Sequence, residues 1–316
     1  MKKFFDASPL LEDRQAIQQQ LDKDGYLFLR EIIDPDILRQ LRKDITDICK
    51  KHHWLKEGTD PYLAISDKYP VVEGDEEYFD VYDEVQCLES LHSLAHEPKL
   101  LNTMKWLIGD SAFPHPLSIS RIVFPNNNDW ATPPHQDYPN NQGTENLYAS
   151  WIPLGECSED SGGLAVLEGS HKPGLLPVKY SLGAGHRQCI LDERHQKLNW
   201  VTGEFAAGDI LIFHSLTVHR SLPNDTTAMR LSVDYRYQRE GEPVTENCLL
   251  PHFQRFSWDQ IYASWKNKGY QYYWKDKNLP ISEWDTTLNA LAEGSFKEDL
   301  KTKILYDRDR QKRFNR

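Results

Sequence analysis

The stretch WATPPHQDYPNN, Trp130 to Asn141, places His135 and Asp137 two residues apart, directly after two prolines. In an extended segment, residues i and i+2 point to the same side. One imidazole nitrogen and one carboxylate oxygen would then converge on a point that a metal ion could occupy. In a chain with twelve histidines the pair alone is unremarkable, and a solvated loop is the competing reading. A second segment, GDILIFHSLTVHRSLPN, supplies what the pair lacks. Its β-rich run leads from a turn at Gly208-Asp209 to His219. Two histidines and one carboxylate on one face of a metal leave the remaining positions open, the arrangement of non-haem Fe(II) oxygenases. His214 lies on the same run and competes for the third place. Its separation from His219 is odd, so in a regular strand it faces the other way, and the spacing favours His219.

Arg230 opens the next β-rich run, MRLSVDYRYQ, which an antiparallel hairpin would lay beside the strand carrying His219. A planar guanidinium at the floor of a barrel binds a carboxylate through two parallel hydrogen bonds. Ser232, Asp234 and Arg236 share the parity of Arg230 and would face the same interior. Such a series fits a small polar substrate, or equally an ion pair of Asp234 with Arg236. Arg121 and Tyr138 flank the motif and are further candidates for substrate contact.

The elements that must position these residues can also be read from the chain. LEDRQAIQQQLDKDG reads as a helix closed by Gly25, and YLFLREII as a strand. Asp34-Pro35 reads as a cap with proline at the first helical position. Ile37, Leu38, Leu41, Ile45 and Ile48 continue at helical spacing. The acidic stretch ISDKYPVVEGDEEYFD reads as loop, and LESLHSLAHEPKLLNTMKWLIG as a helix pair interrupted at Pro98. From about 116 to 240 short β-rich runs alternate with Gly, Pro and Asn, the texture of an antiparallel sandwich or barrel. The part from 245 to 316 returns to helix and loop and is dense in aromatics, which either line the pocket or form core. The expected organisation is one domain over 1–316: a mainly β core, a helical N-terminal part (1–115) and an aromatic-rich helical C-terminal part.

Bulk properties exclude other classes. The formal net charge of -11 argues against nucleic acid or anionic membranes as partners. The five cysteines form no CxxC pair and read as reduced thiols in a cytoplasmic protein. No signal peptide and no membrane-spanning apolar run is legible. The oligomeric state is not encoded in these features.

Taken together the motifs resemble the phytanoyl-CoA dioxygenase family of Fe(II)- and 2-oxoglutarate-dependent oxygenases. PPHQDYPNN is similar to the family's first metal motif, and LYASWIPLGECSEDSGGLAVLEGSHKPG to its core signature. GDILIFHSLTVHRSLPNDTTAMRLSVDYR carries the distal histidine and the arginine at family spacing, and LDKDGYLFLREIIDPDILRQLRKDI resembles the N-terminal strand and helix. The resemblance covers about residues 15 to 240. It implies a double-stranded β-helix, a jelly roll of the cupin kind, with iron held by His135, Asp137 and His219. It implies 2-oxoglutarate held by Arg230, with Ser221 and Trp151 nearby, and O2 as the oxidant. Gly169, Ser170 and His171 match a signature turn that is structural. The implied reaction hydroxylates an unactivated carbon of a small polar metabolite and releases succinate and CO2. Halogenating relatives lack the carboxylate ligand, whereas Asp137 is present here. Two rivals use the same fold: a cupin-type metal-dependent hydrolase or isomerase, which would not need Arg230, and a jelly-roll binding protein without catalysis.

Overall fold

The computed structural model describes residues 1–292. A short strand β1 (Lys2–Lys3) precedes helix α1 (Arg14–Asp24), strand β2 (Tyr26–Leu29) and helix α2 (Pro35–Lys51). Asp13 accepts from the amides of Gln15 and Ala16 to start α1, and Gly25 ends it at φ +76°. The Gly25 carbonyl then accepts from the His214 amide (3.0 Å) and from Thr217 Oγ1 (2.7 Å), which fastens the helix end beneath the turn that leads to His219. A side chain at Gly25 would collide with His171 and Thr217.

Helices α3 (Glu76–Gln86), α4 (Glu89–Ser93) and α5 (Pro98–Ile108) follow. The acidic stretch expected as loop is therefore partly helix: its last residues, Glu76 to Asp80, open α3. Two acids in the first turn suit the positive end of the helix. Tyr78, Val81, Tyr82 and Val85 form the buried stripe, which the density of Asp and Glu conceals in the sequence. Pro98 does interrupt the pair, as the first residue of α5 behind a Glu97 cap.

The β region comprises β3 (Ala112–Pro114), β4 (Ile119–Val123), α6 (Tyr138–Asn141), β5 (Tyr148–Pro153), β6 (Leu164–Leu167), β7 (Val178–Tyr180), β8 (Arg187–Cys189) and α7 (Glu193–Gln196). It continues through β9 (Trp200–Thr202), β10 (Ile210–His214), β11 (His219–Ser221) and β12 (Arg230–Arg239). The major sheet has the order β2-β10-β5-β12-β3, with β4 also paired to β12, and the minor sheet the order β1-β9-β6-β11. The sheets thus recruit strands from before residue 116. They form an open jelly roll rather than a closed barrel.

Two sequence expectations about connectivity are corrected. The run to His219 is not one strand: β10 ends at His214, a turn crosses to the other sheet, and His219 begins β11 beside β6. Strand parity therefore does not relate His214 to His219. Nor is Arg230 on a hairpin with His219. Strand β12 lies between β5 and β4 in the major sheet, so Arg230 looks across the interior at the minor sheet.

Alternation along the strands sorts the two faces. Leu27, Ile152, Ile210, Ile212, Leu231, Val233 and Tyr235 pack outward against the helices with Leu38, Leu41, Val85 and Met104. Phe28, Ala149, Trp151, Leu211 and Phe213 face inward, toward Leu164, Val166 and Val201 of the minor sheet. Strand β12 breaks the apolar rule on its inner face, where Arg230, Ser232, Asp234 and Arg236 are all buried. Burying that many polar groups is costly unless each has a partner.

Beyond β12, β13 (Val244–Thr245) pairs with β14 (Ile281–Ser282), and α8 (Trp258–Tyr262) seeds a separate aromatic core. Trp258, Tyr262, Trp265 and Trp274 pack there with Ile261, and Trp258 and Trp265 meet the ring of His92. Most of the C-terminal aromatics within 245–292 therefore build core, Trp284 being exposed; residues 293–316 lie outside the described residues.

Burial lowers the imidazole pKa of His92 and of His115 to about 4. Both are nearly inaccessible, at 6% and 2% exposure. Below about pH 6.5 the unfolded chain binds protons that these two sites refuse, so stability is full above that pH and is lost as pH falls toward about 4. Each group contributes up to about 1.4 kcal/mol per pH unit in that window. Urea unfolding of the metal-free protein should show several kcal/mol lost between about pH 7 and 4.5 and a plateau above pH 7. Equal stability at pH 7 and 5 would contradict this.

Candidate metal centre and its cavity

His135 and His219 form an isolated antiparallel bridge between the segment after the prolines and β11. Each backbone amide donates to the other's carbonyl, at 2.9 and 3.0 Å, and the ring centroids lie 4.1 Å apart. Their Nδ1 atoms sit 2.9 Å from the Pro133 carbonyl and 3.0 Å from the Thr217 carbonyl. A carbonyl only accepts, so each Nδ1 carries the proton and each Nε2 presents a lone pair. The chain leaves the extended conformation at Asp137 (φ -76°, ψ -30°), where the amides of Asp137 and Tyr138 both donate to the Ser215 carbonyl. That bend still delivers Asp137 Oδ1 to 3.8 Å from both Nε2 atoms. One donor atom from each of the three residues lies within 4.8 Å of the others.

Arg236 Nη2 donates to Asp137 Oδ2 at 2.9 Å, which leaves Oδ1 as the oxygen turned to the histidines. Burial alone would raise the Asp137 pKa, but Arg236 and the two imidazoles outweigh it and hold the carboxyl down at about 2. Burial, reinforced by the neighbouring His219, lowers His135 to about 3. Burial lowers His219 as well. All three side chains are thus in the ligand form, carboxylate and neutral imidazole, at neutral pH. A pair of imidazole nitrogens and one carboxylate oxygen is a donor set suited to Fe(II). His214 is elsewhere: its Nδ1 accepts from the Leu216 amide and its ring meets Tyr148 and His171.

The triad stands between two lobes of one cavity system. The first lobe runs inward past Phe213, Leu164 and Ser221 to Trp151 and Arg230. The Arg230 guanidinium is buried, lies 5.5 Å over the Trp151 ring, and donates to the Gly162 carbonyl (3.0 Å) and to Ser232 Oγ (2.5 Å). No carboxylate among the described residues pairs with it. Burial lowers its pKa, the mark of a cation that lacks a counter-charge. Ser221 lines the same lobe, its Oγ accepting from the Thr132 amide at 2.6 Å.

The second lobe mixes charged and polar groups with Leu117 and Ile119. Arg121, Arg236, Glu73, Asn140, Arg187 and His252 border it together with His135 and Asp137. Arg121 donates to Asp234 Oδ2 at 2.9 Å and stands 3.8 Å from Glu73. Asp234 and Arg236 form the ion pair that one reading of the series expected, loosely at 3.9 Å, because Asp234 is held more closely by Arg121. Tyr138, at the head of α6, lines neither lobe. Glu73, Arg187 and His252 were not legible as site residues. They come from a loop, a short strand and the C-terminal part, with no motif around them. The signature turn is structural: Ser170 Oγ accepts from the Val218 amide and His171 Nε2 meets the Asp22 carbonyl.

Comparison with known proteins agrees with this geometry. Residues 21–232 match the phytanoyl-CoA dioxygenase (PhyH) family. The chain is 28% identical over 275 residues to the 1-deoxypentalenic acid 11-beta-hydroxylase of Streptomyces arenae, covering 78% of this chain and 89% of that protein. It is 22% identical over 228 residues to the peroxisomal phytanoyl-CoA dioxygenase of Homo sapiens, covering 68% and 65%. Among solved structures, the fold matches the epimerase SnoN in complex with Fe3+, alpha ketoglutarate and nogalamycin RO (TM-score 0.53, 16% identity, 73% and 85% covered). It also matches apo EctD from S. alaskensis (TM-score 0.52, 18% identity, 78% and 83% covered). A jelly roll that brings two histidines and an aspartate together beside a buried arginine with no carboxylate partner among the described residues, over a family match spanning most of the chain, places this protein in the phytanoyl-CoA dioxygenase family, enzymes that use Fe(II), 2-oxoglutarate and O2.

Proposed function

We propose that the enzyme hydroxylates an unactivated carbon of a small polar metabolite, with His135, Asp137 and His219 holding Fe(II) and Arg230 holding 2-oxoglutarate. The observation that carries this reading is Arg230: a buried cation without a carboxylate partner among the described residues, lining a lobe that also reaches the triad histidines. A bidentate guanidinium–carboxylate contact would satisfy it. Trp151 supports the guanidinium from below and Ser221 borders the same lobe. Bound there, iron and 2-oxoglutarate supply oxidising power from O2 as the cosubstrate is decarboxylated to succinate and CO2. The protein's own residues orient the two molecules and fix the imidazole tautomers through Pro133 and Thr217.

The substrate would enter the second lobe, bordered by Arg121 and Arg236, with Asp234 beside them. The relative from Streptomyces arenae is named as a hydroxylase of 1-deoxypentalenic acid, which supports a free acid as substrate. An overall charge of -11 disfavours the polyanionic tail of an acyl-CoA. Among the described residues no helix is long and apolar enough to cross a membrane, and the five thiols are free, in keeping with a reducing cytoplasmic setting.

Asp137 fills the place that a halide would need, so oxygen insertion is the expected outcome. The reading is tested by supplying candidate acids with Fe(II), 2-oxoglutarate and O2 in chloride buffer. Succinate and a product 16 mass units heavier, from one added oxygen, should form in equal amounts; a chlorinated product would contradict it.

A further inference from the structure

We infer that the second lobe recognises its substrate through one anionic group, of the carboxylate class, received by Arg187 and Arg236. The inference rests on the assignment of iron and 2-oxoglutarate above and specifies what the remaining space accepts.

Arg236 is 5% exposed and borders both lobes. Its Nη2 is engaged by Asp137, but its Nε and Nη1 have no hydrogen-bond acceptor among the described residues. Asp234 is no substitute, because its Oδ2 stands 3.9 Å from Nη1 and is already engaged by Arg121 Nε at 2.9 Å. Buried guanidinium donors without acceptors are costly, and a ligand oxygen would remove that cost. Arg187, on β8, borders the same lobe. It donates only to the main-chain carbonyls of Asn289 and His186, both at 3.2 Å, and has no carboxylate partner among the described residues.

The charge balance points the same way. The two lobes hold four guanidiniums, Arg121, Arg187, Arg230 and Arg236, and three carboxylates, Glu73, Asp137 and Asp234. Burial keeps His252 neutral. A divalent iron adds two positive charges and 2-oxoglutarate two negative ones. The loaded centre then carries one uncompensated positive charge, which a single carboxylate neutralises and a phosphate dianion would overshoot. An Arg187–Arg236 pair would also fix that carboxylate beside the metal, leaving the rest of the substrate to present its reacting carbon.

The test is an anaerobic titration of the enzyme loaded with Fe(II) and saturating 2-oxoglutarate, followed through the visible band of that complex. The probes are cyclohexanecarboxylate and its uncharged isostere cyclohexanecarboxamide. The acid should perturb the band without displacing 2-oxoglutarate and bind at least about tenfold tighter than the amide, the size expected for one charge-assisted contact. Arg187→Gln should reduce the preference to about twofold or less while 2-oxoglutarate still binds, and Arg187→Lys should restore part of it. Equal binding of acid and amide, no binding of the acid, displacement of 2-oxoglutarate, or a preference surviving in Arg187→Gln would each overturn the inference. Absence of the band before any probe is added would instead overturn the oxygenase reading on which it rests.

Discussion

Arg230→Ala should weaken 2-oxoglutarate binding to the iron-loaded protein by about thirty-fold or more. The guanidinium is buried at 6% exposure, held by Gly162 and Ser232 in the inner lobe, and has no carboxylate partner among the described residues. Truncating one partner of a buried charge pair costs roughly 2–5 kcal/mol, and each ~1.4 kcal/mol is tenfold in affinity. Arg230→Lys should recover only part, because an ammonium cannot reproduce the two-pronged fork. Iron affinity in the absence of 2-oxoglutarate should hardly change, since Arg230 is not among the triad. Calorimetric titration of 2-oxoglutarate into each variant measures the effect. An unchanged affinity in Arg230→Ala would move the anchor to another residue.

His219→Ala should lose iron and activity together, with metal affinity falling more than about 100-fold. Even outer partners of metal ligands are worth 10–100-fold, and a ligand is worth more. His214→Ala should keep its iron. The His214 ring lies on the other side of the turn, where Nδ1 accepts from the Leu216 amide, and reaches no triad atom. Metal content after gel filtration in the presence of Fe(II) separates the two variants. Retention of iron by His219→Ala with loss from His214→Ala would reverse the assignment.

Much of this site was legible in the sequence because its parts are local. His135 and Asp137 are two residues apart, and the polar series of β12 is set by the period of a strand, so both survive without knowledge of the fold. The capped helices α1 and α2 were legible for the same reason: Asp13, Asp34 and Gly25 act on their immediate neighbours. What the sequence concealed is non-local. That His219 and Arg230 belong to opposite sheets depends on the turn after His214 and the crossing between β11 and β12. The bridge that sets His135 beside His219 joins residues far apart in the chain. Glu73, Arg187 and His252 reach the second lobe from three separate regions. The start of α3 was hidden differently, since its acidic first turn looks like a solvated loop until the stripe of Tyr78, Val81, Tyr82 and Val85 finds its partners.

The polar lobes also explain how the fold tolerates so many buried charges. Arg121 is shared between Asp234 and Glu73, and Arg236 is tied to Asp137. Attraction from Asp234 and Glu73 outweighs the burial that would lower the Arg121 pKa, so that guanidinium is firmly charged. Arg230 makes no ion pair with these carboxylates among the described residues, which is why a ligand carboxylate is proposed as its partner.

The account joins the triad and Arg230 in a single site, and an anaerobic titration tests that most directly. Fe(II) is added to one equivalent, then 2-oxoglutarate, and the visible spectrum is followed. A weak charge-transfer band should grow and saturate with 2-oxoglutarate if the keto acid and the His135, Asp137 and His219 triad share one iron, and it should require far more 2-oxoglutarate in Arg230→Ala. Fe(II) binding with no band and no 2-oxoglutarate affinity in the wild-type protein would contradict the account and favour a hydrolytic metal centre on the same three ligands.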